Sequence, residues 1–189
     1  MFRYAFTVSV AAFFLMAALS APALAARAPC PPPGTVAIRD DGSRLEFLGE
    51  DDAEAGLCVI RRGDQEVKLL FGLWAPPGPD IGQARAALAA LLAGTPGTEV
   101  SLSEHVATDT WHETWRRGPE EEVLLAEGRR RAIRLERTMR MSGPVPLAAE
   151  VTYWVDAETG VVLKATHRHV AGLRLPYRDL VITRLDRRG

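Results

Sequence analysis

Apolar residues recur at every second position over most of this chain, and in one stretch alone the spacing becomes helical. Residues 151–155 (Val-Thr-Tyr-Trp-Val) and 161–166 (Val-Val-Leu-Lys-Ala-Thr) are β-branched and aromatic. They are joined by Asp156-Ala157-Glu158-Thr159-Gly160, with Gly where a positive φ is easily tolerated, and so predict an antiparallel hairpin. Alternation sets Val151, Tyr153 and Val155 on one face and Thr152 and Trp154 on the other. In residues 131–141, Ile133, Leu135, Met139 and Met141 fall on one face with Arg137 among them, a set that a helix would scatter.

The same period predicts strands at 35–39 and 44–48 around an Asp40-Asp41-Gly42-Ser43 turn. A second hairpin follows, from 57–61 and 66–71 about Gly63-Asp64. Beyond Thr98, strands are expected at 99–106 and 110–116. Gly118-Pro119 is expected to turn the chain, and residues 122–127 to return. The last strand is expected at 177–185, with Leu180 and Ile182 on one face and Val181 on the other. The helical exception runs over about residues 80–93. Asp80 is placed to cap it, Gln83 stands in capping-box register, and Gly94 ends it. Ile81, Ala84, Leu88, Leu91 and Leu92 share one face.

The expected fold is α+β and mainly antiparallel β, a strongly curved sheet of about nine or ten strands with one packed helix. It is divided into a double hairpin over residues 30–75, the helix, and an antiparallel meander over 98–186.

The N-terminus belongs to none of this. Arg3, an apolar run from Val8 to Leu19, and Ala23-Leu24-Ala25 predict a signal peptide over residues 1–25. The run is short for a bilayer span, so residues 26–189 are expected to form one exported domain, periplasmic or secreted, with no transmembrane segment. Cys30 and Cys58 are then two cysteines in an oxidising compartment, and pairing is expected. Pro29 before Cys30, far from the apolar run, argues against lipidation there.

Charge is nearly balanced. The chain carries 23 basic and 24 acidic residues, and loss of Arg3 leaves 22 against 24, a net charge of −2, which disfavours a nucleic-acid partner. The acidic cluster over residues 40–54 and the arginines over 129–140 and 168–188 read as solvated strand faces in preference to a site for an anionic partner.

Candidate chemistry is sparse. Gly-x-Ser-x-Gly, His-Glu-x-x-His and P-loop motifs are absent, and a non-enzyme is expected. His167 and His169 share a strand face and would need a third ligand, such as His105, His112 or Glu113, to hold a metal. A plain surface pair is the expectation, with no metal and no cofactor. Trp111, Glu113 and Trp115 share a face, suited to gripping an apolar ligand or a sugar, though more commonly such a set is ordinary core or inter-strand packing. Arg137, in an apolar row, either snorkels to water, meets a carboxylate such as Glu113, or meets the anionic head of a lipid.

The run Tyr153-Trp154-Val155-Asp156-Ala157-Glu158-Thr159-Gly160-Val161-Val162-Leu163-Lys164 resembles a hairpin of periplasmic clasp-like proteins, the LolA and LolB lipoprotein carriers and RseB-type sensors. In these an aromatic-x-Asp-x-x-Thr-Gly-x-x-Leu pattern recurs, and the basic alternating strand before it fits the same order. The resemblance covers the last third of the chain. It implies a deeply curved sheet closed by helices around a cavity for acyl chains or lipopeptides.

Together these readings lead to an expectation of an exported, non-catalytic binding protein. Its apolar cavity for a lipid or other hydrophobic ligand is expected between sheet and helix, lined by Trp111, Trp115, Ile133, Leu135, Arg137, Met139 and Trp154. The competing expectation is a structural or protein-interaction module of the cell envelope, without a small ligand.

Overall fold

The computed structural model describes residues 30–76 and 81–186. The predicted signal peptide and the Asp80 cap lie outside the described residues. Ten strands and one helix follow in the order β1 Val36–Arg39, β2 Arg44–Glu50, β3 Leu57–Arg62, β4 Gln65–Leu70, α1 Ile81–Ala93, β5 Glu99–Val106, β6 Asp109–Leu125, β7 Gly128–Ser142, β8 Leu147–Asp156, β9 Val162–Gly172 and β10 Leu180–Asp186. All ten strands form one open antiparallel sheet in the order β4-β3-β2-β1-β10-β9-β8-β7-β6-β5. The expected class, helix position and strand number agree with this architecture. The chain thus begins in the middle of its sheet, with β1 between β2 and β10.

Gly118-Pro119 does not turn the chain, because β6 runs unbroken through it and turns only at Ala126-Glu127. The pair instead forms a bulge, where the register jumps from Arg117↔Leu135 to Glu120↔Ile133. A bulge tolerates a proline, which has no N–H to give the ladder. Glycine suits the site because an added Cβ would lie 3.2 Å from Arg134 Cβ. The extra residue also reverses the face that each later side chain occupies. Trp115 therefore joins one core, while Leu125 on the same strand joins the other.

The first core lies between α1, residues 70–74 and the curved face of β5 to β9. Ala84, Leu88 and Leu91 of the helix meet Leu102, Trp115, Leu135 and Met139 there. The second gathers Ala37, Phe47, Ile60, Leu163, Ile182 and Leu185 around Leu125 and Ala132 from the β6–β7 hairpin. That hairpin reaches far enough for the Ala126 N–H to donate to the Thr183 carbonyl at 2.9 Å and the Leu185 N–H to Glu127 Oε1 at 2.9 Å. Contact between β6 and β10, with three strands between them in the sheet, is the direct mark of its curl.

The glutamate and arginine runs pair across this hairpin. Arg134 meets Glu121 at 2.9 Å, Arg129 meets Glu122 at 3.1 Å and Arg131 meets Glu120 at 3.6 Å. Arg130 takes a different partner. Its Nη2 donates to buried Asp156 Oδ2 at 2.7 Å, and the same oxygen accepts from the Thr159 hydroxyl at 2.6 Å and the Thr159 N–H at 3.2 Å. Gly160, at φ +86°, donates its N–H to the Asp156 carbonyl at 2.9 Å. The Asp-x-x-Thr-Gly element is therefore a turn lock.

The sheet is thinnest between β9 and β10, which pair only at Leu180↔Ala165 and Val181↔Lys164. Residues 177–179, expected in the last strand, lie outside it. Continuing the same register would set Pro176 opposite His169, and proline cannot sustain the ladder there. β10 instead runs on to β1.

Cys30 and Cys58 form a disulfide across 28 residues, tying the proline-rich lead-in to β3. Replacing both by serine is expected to cost about 3–4 kcal/mol on the chain-entropy account. Hydrogen exchange should quicken over residues 30–39 and stay slow over 151–166. Uniform quickening would show that the bridge holds more than the lead-in. A pH series tests the turn lock. Burial opposes ionisation of Asp156, but the bonds from Arg130 and Thr159 outweigh it and hold the carboxyl below its ordinary 3.8. Its contribution is then full above that value and lost as the pH falls through the depressed one. Asp156→Asn should cost about 2 kcal/mol at pH 7 in urea denaturation, with the gap from the parent closing in strong acid. A gap constant with pH would exclude the charge as its cause.

Candidate functional site

Strand register lays out the inner face of the sheet as rows of opposed residues. One row reads Val100, Trp115, Arg137, Val151 and His167 from β5 to β9. The next reads Leu102, Glu113, Met139, Ala149 and His169. Glu113 and Arg137 are thus diagonal neighbours across β6 and β7, within reach of long side chains.

Of the fates open to Arg137 in the sequence, the structure shows the carboxylate. Its Nε donates to Glu113 Oε2 at 2.9 Å and its Nη2 to Oε1 at 2.5 Å, with Arg137 6% and Glu113 3% exposed. The Trp115 indole N–H adds a bond to Glu113 Oε2 at 3.1 Å. The guanidinium lies 5.0 Å from the Trp74 ring centroid and 5.2 Å from that of Trp115. Trp115 in turn stacks on Tyr153 at 5.5 Å. Such a bidentate fork between aromatic faces compensates a buried charge better than a lone contact would. Burial disfavours charge on Arg137, but Tyr153 and Glu113 hold its pKa above the usual value. Burial also pushes the Tyr153 phenol up, against the pull of the guanidinium.

This cluster borders a cleft of about 300 Å³ whose wall includes Leu73, Trp74, Trp111, Glu113, Arg137, Val151, Tyr153, His167 and Tyr177. The space is not roofed by α1, as expected; that region is filled by Leu88 and Leu91. Of the predicted lining residues, Trp111 and Arg137 border the cleft. Trp115, Leu135 and Met139 are 0% exposed and Ile133 6%, so these four are core. Trp154 lies on the opposite face, donating its indole N–H to Glu121 Oε2 at 2.7 Å beneath Lys164 Nζ, 4.7 Å from its ring. Alternation favoured Tyr153, on the face of Val151, over Trp154. Trp74, His167 and Tyr177 were missed as lining residues; Trp74 lies in the break after β4, where no strand period was read, and Tyr177, expected to open the last strand, lies before β10.

The histidines are dispersed. His105 and His112 are exposed and hydrogen-bond Thr110 and Ser103. His167 is pushed below its ordinary 6.5 by burial, against the pull of Asp179, and is neutral near pH 7. Among the described residues no group of three or more His, Cys, Asp or Glu gathers as a metal site, and no helix is long and apolar enough to cross a membrane.

No protein-family model matches the chain, and no curated protein matches it. Among solved structures, it is similar to the hypothetical lipoprotein YmcC from Escherichia coli, with TM-score 0.44 and 17% identity over 72% of this chain and 79% of that one. It is also similar to a putative exported protein with YmcC-like fold from Bacteroides fragilis, with TM-score 0.39 and 9% identity over 83% of this chain and 97% of that one. Likeness at this level says nothing about chemistry.

The buried pair is testable by a mutant cycle. Glu113→Leu alone strands a buried guanidinium and should cost about 3–5 kcal/mol, while Glu113→Leu with Arg137→Met should recover most of that loss. Urea denaturation at pH 7 provides the readout. Strictly additive losses would show that the two side chains do not act as a unit.

Proposed function

We propose that this is an exported, non-catalytic binding protein whose cleft takes the apolar part of a lipid or other hydrophobic ligand. The observation that carries the reading is the cleft itself. It combines Leu73, Trp74, Trp111, Val151 and Tyr153 with one internally neutralised polar pair. Ligand sites of this kind are concave, mostly apolar and furnished with a few fixed polar groups. Export is supported by the Cys30–Cys58 bridge, since such bonds persist in oxidising compartments.

The clasp-like resemblance agrees with this reading in architecture. Its Asp156, Thr159 and Gly160 bond to one another and to Arg130 away from the cleft lining. The motif therefore supports a similar hairpin more than a similar ligand. The competing reading, an envelope interaction module, draws on Val145, Val170 and Leu173, which are between 43% and 52% exposed.

Native mass spectrometry of protein recovered from the exported fraction should reveal a co-purifying hydrophobic molecule. Trp111→Ala should weaken its binding about tenfold, the loss of a partly buried aromatic contact. Unliganded protein, together with crosslinks to a single envelope partner, would favour the interaction module.

A further inference from the structure

Where β9 loses β10, the second half of β9 faces residues 174–178 across a groove of about 500 Å³. The His167 N–H, left without a strand partner there, donates to Asp179 Oδ1 at 2.8 Å. The His167 and Tyr177 rings lie 5.1 Å apart and border both this groove and the apolar cleft, so the two spaces adjoin.

The chemistry changes across that partition. The groove is bordered by Arg168, His169, Arg174 and Arg178, and no carboxylate lines it. Arg168 is already engaged by Glu150 at 2.5 Å. Asp179, the neighbouring carboxylate, faces His167 from 3.7 Å. Among the described residues no ion pair engages Arg174 or Arg178. Two uncommitted guanidinium groups beside an apolar cleft suit an oxyanion, which arginine binds through paired N–H donors.

We propose that the groove is a subsite for an anionic head, phosphate or carboxylate, of an amphiphile whose apolar part occupies the cleft. This rests on the binding reading above and narrows its ligand from hydrophobic to amphiphilic and anionic. Arg174 and Arg178 are the residues that carry the preference.

Calorimetric titration of the exported chain with octyl phosphate, 1-octanol and inorganic phosphate separates the possibilities. Octyl phosphate should bind about tenfold tighter than octanol, the value of one charge-assisted contact. The preference should vanish in Arg174→Ala/Arg178→Ala and persist in Arg131→Ala, which removes a distant exposed arginine. Equal binding of octyl phosphate and octanol would overturn the anionic subsite while leaving the cleft reading intact. A preference that survives the double substitution would overturn the assignment to these arginines. Inorganic phosphate binding as tightly as octyl phosphate would mean a free-anion site unconnected to the cleft, and would also overturn the proposal. Failure of every titrant to bind would overturn both readings.

Discussion

β1 is four residues long and joins the two halves of the sheet. On one side lies β2, its hairpin neighbour, and on the other β10, the final strand. The N-terminal meander of β1 to β4 connects through that ladder to the meander of β5 to β10. Few contacts in a chain of this size span so much sequence, and contacts of that kind are costly to close. The second core is the compensation. It places Ala37, Phe47 and Ile60 from the first half against Ile182, Leu185 and Leu125 from the second. The disulfide acts on the same junction from outside, by fixing the lead-in to β1 against β3. A short central strand is thus held along both edges, from one face and at its N-terminal lead-in.

The consequence for function runs through β10. β10 meets β9 only at Leu180↔Ala165 and Val181↔Lys164 and then pairs with β1 from Ile182 to Asp186, so the second half of β9 is left without a neighbour on that edge. The curl that brings the β6–β7 hairpin to β10 gathers the inner-face rows into a concavity, which α1 fills at one end and residues 70–74 partly cover. What remains open is the strip beside His167, where the ladder has parted. The opening is therefore a product of topology as much as of side-chain choice.

Local signals explain which parts of this were legible in the sequence. The hairpins at Gly63-Asp64 and Thr159-Gly160, the helix and the β7 alternation all rest on residues close in sequence, and each stands where the pattern placed it. Gly118-Pro119 has the composition of a turn, yet it sits in a ladder whose flanking glutamates and arginines pair across β6 and β7. Composition could not weigh that cross-strand pairing against the proline. The cleft was harder still. Trp115, Leu135 and Met139 were read as lining because they face inward, but facing inward describes a filled core equally well. Depth depends on what lies opposite, here Trp74 and Leu88 from segments with no β-period. Arg137 stood out rightly, since a charge in an apolar row demands a partner, and Glu113 was among those considered.

That pair bears on how the cleft can treat a ligand. Glu113 takes two bonds from Arg137 and one from Trp115, so both its oxygens are engaged. A buried arginine satisfied in this way offers little to an incoming anion, because capture would cost part of an existing fork. The cleft wall therefore acts as neutral, aromatic and rigid, suited to apolar contact. In the proposed reading, discrimination by charge would fall to groups that are not already paired, and among the described arginines around the opening those are Arg174 and Arg178. Division of labour between an inert polar anchor inside and uncommitted cations at the rim follows from the cost of burying unpaired charge.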